Sequence, residues 1–192
     1  MRSFIALKLS SEVHAELDTF VQTLKPAVRD AVRWVRSTNI HLTVKFLGEV
    51  DQVKYRRVFD ETRRLAQTVP SFQLTISGSG VFPAWDHPRI LWVGVQAPLQ
   101  LSILVDELEK SMTLLGFAPE NRPFSPHLTL GRVNSALNNA QRDHLRRLMD
   151  QAKSKVFGVV PVRELTIFKS DLRPEGPIYT ALATIPFIAS TE

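Results

Sequence analysis

His41-Leu42-Thr43-Val44 and His127-Leu128-Thr129-Leu130 carry the same phrase: histidine, apolar, threonine, apolar. On a β-strand successive side chains point to opposite faces. Histidine and threonine therefore share one face, and the two apolar residues anchor the strand from the other. By average composition, one chance match to this phrase is expected about once in a hundred chains of this length, and two are far rarer. If both strands face one cleft, it holds two imidazoles and two hydroxyls, an inventory suited to acid/base chemistry on a phosphate.

The phrases begin 86 positions apart, and the surrounding sequence repeats with them. After the first, Asp51 to Thr68 places Val53, Val58 and Leu65 among charges. After the second, Leu137 to Ser154 does the same with Leu145, Leu148 and Met149. Both stretches predict amphipathic helices whose arginines lie on solvated faces. Phe72-Gln73-Leu74-Thr75-Ile76 and Leu165-Thr166-Ile167-Phe168 predict strands at similar offsets, with Phe82 and Phe168 each 41 residues after a motif histidine. Ile90 to Val95 reads as a strand echoed by Ile178 to Ala183.

Upstream, Phe4 to Leu9 predicts a strand. Ser10 or Ser11 caps a helix to about Leu24, ahead of Pro26. Leu99 to Leu115 predicts a second such helix, closed by Gly116, with Leu101, Leu104, Val105, Leu108 and Met112 as core. Ser77-Gly78-Ser79-Gly80 lacks the lysine of a P-loop and reads as a turn.

The fold expected is α+β and bilobal, a pseudo-twofold duplicated unit of antiparallel sheets with flanking helices around a central groove. Residues 1–192 form one such domain. The first repeat covers about 1–88 and the second about 89–192, with the boundary open because lobes can share strands.

At 192 residues the chain is long enough to bury a core without staples. The absence of cysteine excludes disulfides, thiolate metal sites and cysteine nucleophiles. No stretch approaches membrane-spanning length, and the N-terminal apolar run is too short for a secretory signal, so a cytoplasmic protein is expected. The net charge of +5 favours anionic partners, nucleic acid first. The expected state is a monomer.

His41 and His127 are the candidate catalytic residues; His14, His87 and His144 read as bystanders. Thr43 and Thr129 are candidates to hold phosphate. Lys45 shares strand parity with His41 and Thr43 and is a candidate to reach the groove. Arg132 has the wrong parity in a regular strand, but Gly131 permits a bulge that re-aims it. Phe124, between two prolines in Arg122-Pro123-Phe124-Ser125-Pro126, is a candidate to stack a base, although core packing accounts for it equally well. No acidic cluster accompanies the histidines, so no metal is assigned. Two other readings stay open at this level. One is a non-catalytic nucleotide or RNA-end binding module. The other is a metallohydrolase using the same two histidines.

The chain resembles the two-histidine (2H) phosphoesterases, specifically the bacterial RNA 2′,3′-cyclic phosphodiesterases once called 2′-5′ RNA ligases. The resemblance rests on both motifs in context, Asn39 through Val50 and Arg122 through Arg132. Arg2-Ser3-Phe4-Ile5-Ala6, Gly78 through Pro83 and Leu91 through Val95 add to it. It implies a bilobal α+β fold with the motifs facing across a groove. It also implies hydrolysis of a terminal 2′,3′-cyclic phosphate, on RNA or a small cyclic nucleotide, to a 2′-phosphate without metal or cofactor, and a reverse 2′-5′ joining reaction. In that pattern His41 is the proton donor, His127 the proton acceptor, Thr43 and Thr129 hold phosphate, and Arg132 contacts substrate.

Overall fold

Leu42 and Val44 are buried with Thr43 half-buried between them, as alternation demands. They open strand β3 (Leu42–Glu49) in a computed structural model that describes residues 1–174 and 176–188. Its neighbours in one antiparallel sheet are β1 (Arg2–Leu7), β8 (Glu164–Asp171) and β9 (Ile178–Pro186), in the order β3-β1-β8-β9. The second sheet has the order β2-β6-β5-β4-β7. Its strands are β2 (Val32–Trp34), β4 (Phe72–Phe82), β5 (Ile90–Gln96), β6 (His127–Val133) and β7 (Val156–Val162). The architecture is α+β, as expected, with strands exchanged between the halves of the chain. β4 leaves the sheet of β1 and β3 to join the other, and β8 returns to pair with β1, with β9 beyond it at the edge.

Helices cover one side of each sheet. α2 (Gln52–Ala66) packs on β8 and β9, and α3 (Leu99–Leu114) packs on β3 and on α2. α1 (Ser11–Val28) packs on β7 and on α4 (Asn139–Gln151), which contacts β4. Asn138 and Gln141 close a reciprocal capping box at the start of α4. Leu101, Leu104, Val105, Leu108 and Met112 are all buried, as the helical spacing of α3 predicts.

Four local readings change. α1 starts at its Ser10 cap but continues through Pro26, because Ala27 and Val28 extend its buried stripe and offset the one backbone hydrogen bond that proline forfeits. Val53 is exposed rather than core. Ser77 to Gly80 lies inside β4: Gly78, at φ +75°, sits where the register shifts, and an added Cβ at Gly80 would run into the Trp92 ring. Finally, Ile178 to Ala183 does not echo Ile90 to Val95 in place. β9 is a sheet edge, whereas β5 is central and occupies the position of β1.

The buried side chains of both sheets form one hydrophobic cluster. Leu42, Leu128 and Leu130 are essentially inaccessible. Burying each contributes about 1.5–3 kcal/mol, so the motif strands are firmly anchored from behind.

Candidate active site

Both motif strands carry the same irregularity. Opposite β1, Thr43 pairs with Ala6 and Lys45 with Ile5, leaving Val44 as the extra residue of a β-bulge. Opposite β5, Thr129 pairs with Trp92 and Gly131 with Leu91, leaving Leu130 as the extra residue. A bulge reverses strand parity beyond it. The groove face of each motif strand therefore runs His, Thr, and then the residue five beyond the histidine. That residue is Phe46 in the first strand and Arg132 in the second.

This decides where the charged candidates go. Lys45 turns away from the groove. Its side chain is 4% exposed and ion-paired with Glu109 of α3 at 2.7 Å, with a further bond to the Ala118 carbonyl at 2.9 Å. Simple alternation had directed it to the groove; the bulge at Val44 overrides that reading. Arg132 is turned onto the groove face, opposite Ile90 of β5 and Arg33 of β2. Phe124 is half-buried and packs against the core. Phe46, which strand parity concealed, is 67% exposed with its ring 6.3 Å from that of Phe4. The bulge invoked for Gly131, applied to the first motif as well, would have found it.

The two imidazoles are held alike. His41 Nδ1 donates to the Asn39 carbonyl and His127 Nδ1 to the Ser125 carbonyl, each at 2.7 Å. A carbonyl can only accept, so Nδ1 carries the hydrogen in both rings and Nε2 is left with the titrating lone pair. Thr43 and Thr129 are half-buried beside them.

The surroundings of the rings differ. His41 stacks on Phe4 at 4.7 Å and meets Tyr179 edge-on at 5.2 Å. Burial pushes its pKa down to about 4, against the smaller raising effect of the Asn39 bond. His41 is therefore neutral at pH 7 in the free protein. His127 meets Phe82 edge-on at 5.0 Å, and Phe82 lies against Trp92.

A cavity of about 170 Å³ opens beside His41, lined in part by Lys8, His14, Asn39, Phe168 and Tyr179. His14, read as a bystander, thus stands close enough for its charge to lower the His41 pKa. His87 and His144 are exposed elsewhere.

Two hydrogen bonds tie down the segment that leads into Tyr179. Asn39 Nδ2 donates to the Pro177 carbonyl, and Arg33 donates to the Pro174 carbonyl, both at 2.8 Å. Burial raises the Tyr179 pKa, and the charges of Arg132 and Arg2 act against it. Tyr179 thus touches the His41 ring and lies within electrostatic reach of Arg132 from the other motif strand. Among the described residues, no group of three or more His, Cys, Asp or Glu side chains could hold a metal ion.

The LigT-like phosphoesterase profile matches residues 7–92 and again residues 93–179, the second match beginning 86 residues after the first, the spacing of the motif histidines. The chain belongs to the LigT-like phosphoesterase family.

Among LigT-like relatives, the RNA 2′,3′-cyclic phosphodiesterase of Methanothermobacter thermautotrophicus is 36% identical over 94% of this chain and 95% of its own length. That of Thermotoga maritima is 34% identical over 97% and 96%. The crystal structure of Escherichia coli LigT complexed with 3′-AMP superposes with a TM-score of 0.75 at 27% identity, covering 97% of each chain.

Proposed function

We propose that this LigT-like phosphoesterase is a metal-independent RNA 2′,3′-cyclic phosphodiesterase. It opens the terminal cyclic phosphate to a 2′-phosphate by two-histidine acid/base catalysis. The relatives' activity supports the substrate class. The observation that carries the mechanism is the matched pair of Nδ1-to-carbonyl bonds, which leaves an Nε2 free on each motif strand beside a threonine hydroxyl.

In this reading His127 Nε2 removes a proton from a water that attacks phosphorus. Protonated His41 Nε2 gives its proton to O3′ as the P–O3′ bond breaks. Water is consumed, phosphorus stays on O2′, and proton exchange with solvent resets both rings. Thr43 and Thr129 hydroxyls donate to the non-bridging oxygens, and Arg132 offsets their charge. Phe46 offers an exposed ring face on which a base can stack. The same geometry accepts a ribose 5′-hydroxyl in place of water, which yields a 2′-5′ linkage.

Burial leaves His41 neutral, opposite to what a proton donor requires. The phosphodiester's negative charge beside Nε2 favours the imidazolium, so substrate itself charges the acid. One ring must be charged and the other neutral, so the rate profile is bell-shaped, with limbs belonging to the pair. His41 is protonated in the free protein only below about pH 4. The acid limb of kcat/KM is therefore expected near pH 4 instead of the ordinary imidazole value of about 6.5. Measuring kcat/KM from pH 3.5 to 9 checks this; an acid limb at the ordinary value contradicts it.

The functional reading is tested by incubating the protein and excess chelator with a short RNA ending in a 2′,3′-cyclic phosphate. The expected product is the 2′-phosphate. A 3′-phosphate product, or activity abolished by chelator and restored by a divalent metal, overturns the proposed chemistry.

A further inference from the structure

Arg33 and Arg132 occupy directly opposed positions on β2 and β6, on the same face, and that face is the groove. Like charges so placed repel one another unless something opposes them. Among the described residues no carboxylate pairs with either guanidinium, nor with Arg2. Arg2 shares the groove face of β1 with Phe4, the ring that stacks on His41. The Tyr179 hydroxyl feels both Arg2 and Arg132. Arg33 is anchored by one guanidinium nitrogen to the Pro174 carbonyl, in the connection that leads into β9. Three cations from three strands therefore border one region of the groove, and Glu49, opposite Arg2 on β3, is ion-paired to the N-terminal ammonium instead.

Resting on the reading above, the cyclic phosphate takes the two histidines, the two threonines and Arg132. That leaves Arg2 and Arg33. An RNA end carries a second anion, the phosphodiester joining the terminal nucleotide to its 5′ neighbour. A nucleoside cyclic phosphate lacks it. We propose that Arg33 and Arg2 form a second anion site that binds this internucleotide phosphate and so favours oligoribonucleotide ends over mononucleotides. A guanidinium suits the task because its planar fork donates to two phosphate oxygens at once.

The test compares adenosine 2′,3′-cyclic phosphate with a trinucleotide bearing the same cyclic end, using wild type, Arg33→Gln and Arg2→Gln. Glutamine at 33 keeps an amide donor for the Pro174 carbonyl while removing the charge. Each variant is expected to lose about tenfold or more in kcat/KM on the trinucleotide, through KM. Activity on the mononucleotide stays unchanged, which also shows that the fold is intact. The salt dependence of trinucleotide binding should become shallower by about 0.7 in log–log slope per lost phosphate contact. Equal losses on both substrates, or no loss on either, overturn the proposal. If the wild type hydrolyses neither substrate, the functional reading falls separately. The anion site is then judged by fluorescence titration with the trinucleotide, and equal affinity of wild type and Arg33→Gln overturns it.

Discussion

Replacing His127 with alanine is expected to lower turnover on a cyclic-phosphate RNA end by about a hundredfold to ten-thousandfold, and replacing His41 by a similar factor. In the proposed mechanism both rings act in one transition state, so the double variant should lose far less than the product of the two single losses. Neither ring is needed to anchor its strand, because Leu42, Leu128 and Leu130 remain buried behind the motifs. His127 is the cleaner test. His41 sits among Phe4, Phe168 and Tyr179, so its removal leaves space in an aromatic cluster. A His41→Gln variant with an unchanged melting temperature separates lost chemistry from lost packing. Steady-state kinetics with purified variants decides. Near-normal turnover in the double variant eliminates the two-histidine mechanism.

Glu109→Ala should be strongly destabilising although Glu109 lies outside the groove. It strands the Lys45 ammonium, 4% exposed, with only the Ala118 carbonyl for company. Removing one partner of a buried pair typically costs about 3–5 kcal/mol. The retained carbonyl and the partial exposure of Glu109 place this case near the low end, about 3 kcal/mol. For a chain of this size that is a fall of about 6–12 °C in melting temperature. Glu109 also accepts from the Glu120 backbone N–H at 2.8 Å, so the segment leading to His127 loses a tether. Converting the pair together, Lys45→Met with Glu109→Leu, removes the stranded charge and should recover most of the loss. Denaturant unfolding of the two variants checks both statements. A Glu109→Ala effect below about 0.5 kcal/mol, the range of ordinary surface changes, refutes the account.

The contrast between Lys45 and Arg132 shows what a linear sequence conveys and where it stops. Alternation locates the histidines, threonines and their apolar backing, because those positions precede the bulges. Beyond Val44 and Leu130 the parity rule reverses, and nothing in a valine or a leucine announces it. Gly131 hinted at the second bulge; the first has no glycine until Gly48, so Lys45 was misdirected and Phe46 concealed. β2 and β7 leave no periodic signal in the sequence, for other physical reasons. β2 is three residues long, too short for a period to register. β7 is an edge strand with Val156 and Val159 exposed, and its alternation is broken at Gly158. The helices were legible because their apolar stripes recur over several turns, while Arg33 gained meaning only from the residue it faces on β6.

The strand exchange between the two halves bears on the origin of the molecule. A polypeptide of one repeat's length would own the counterparts of β1, β3 and β4, yet in this fold the third pairs with strands of the other sheet and not with the first two. Such a protein could complete its sheets only by lending that strand to a sister copy, as an intertwined pair with two identical histidine walls. Joining the copies end to end turns that loan into a permanent intramolecular contact. It also frees the position five beyond each histidine to diverge, an aromatic ring on one wall and a cation on the other.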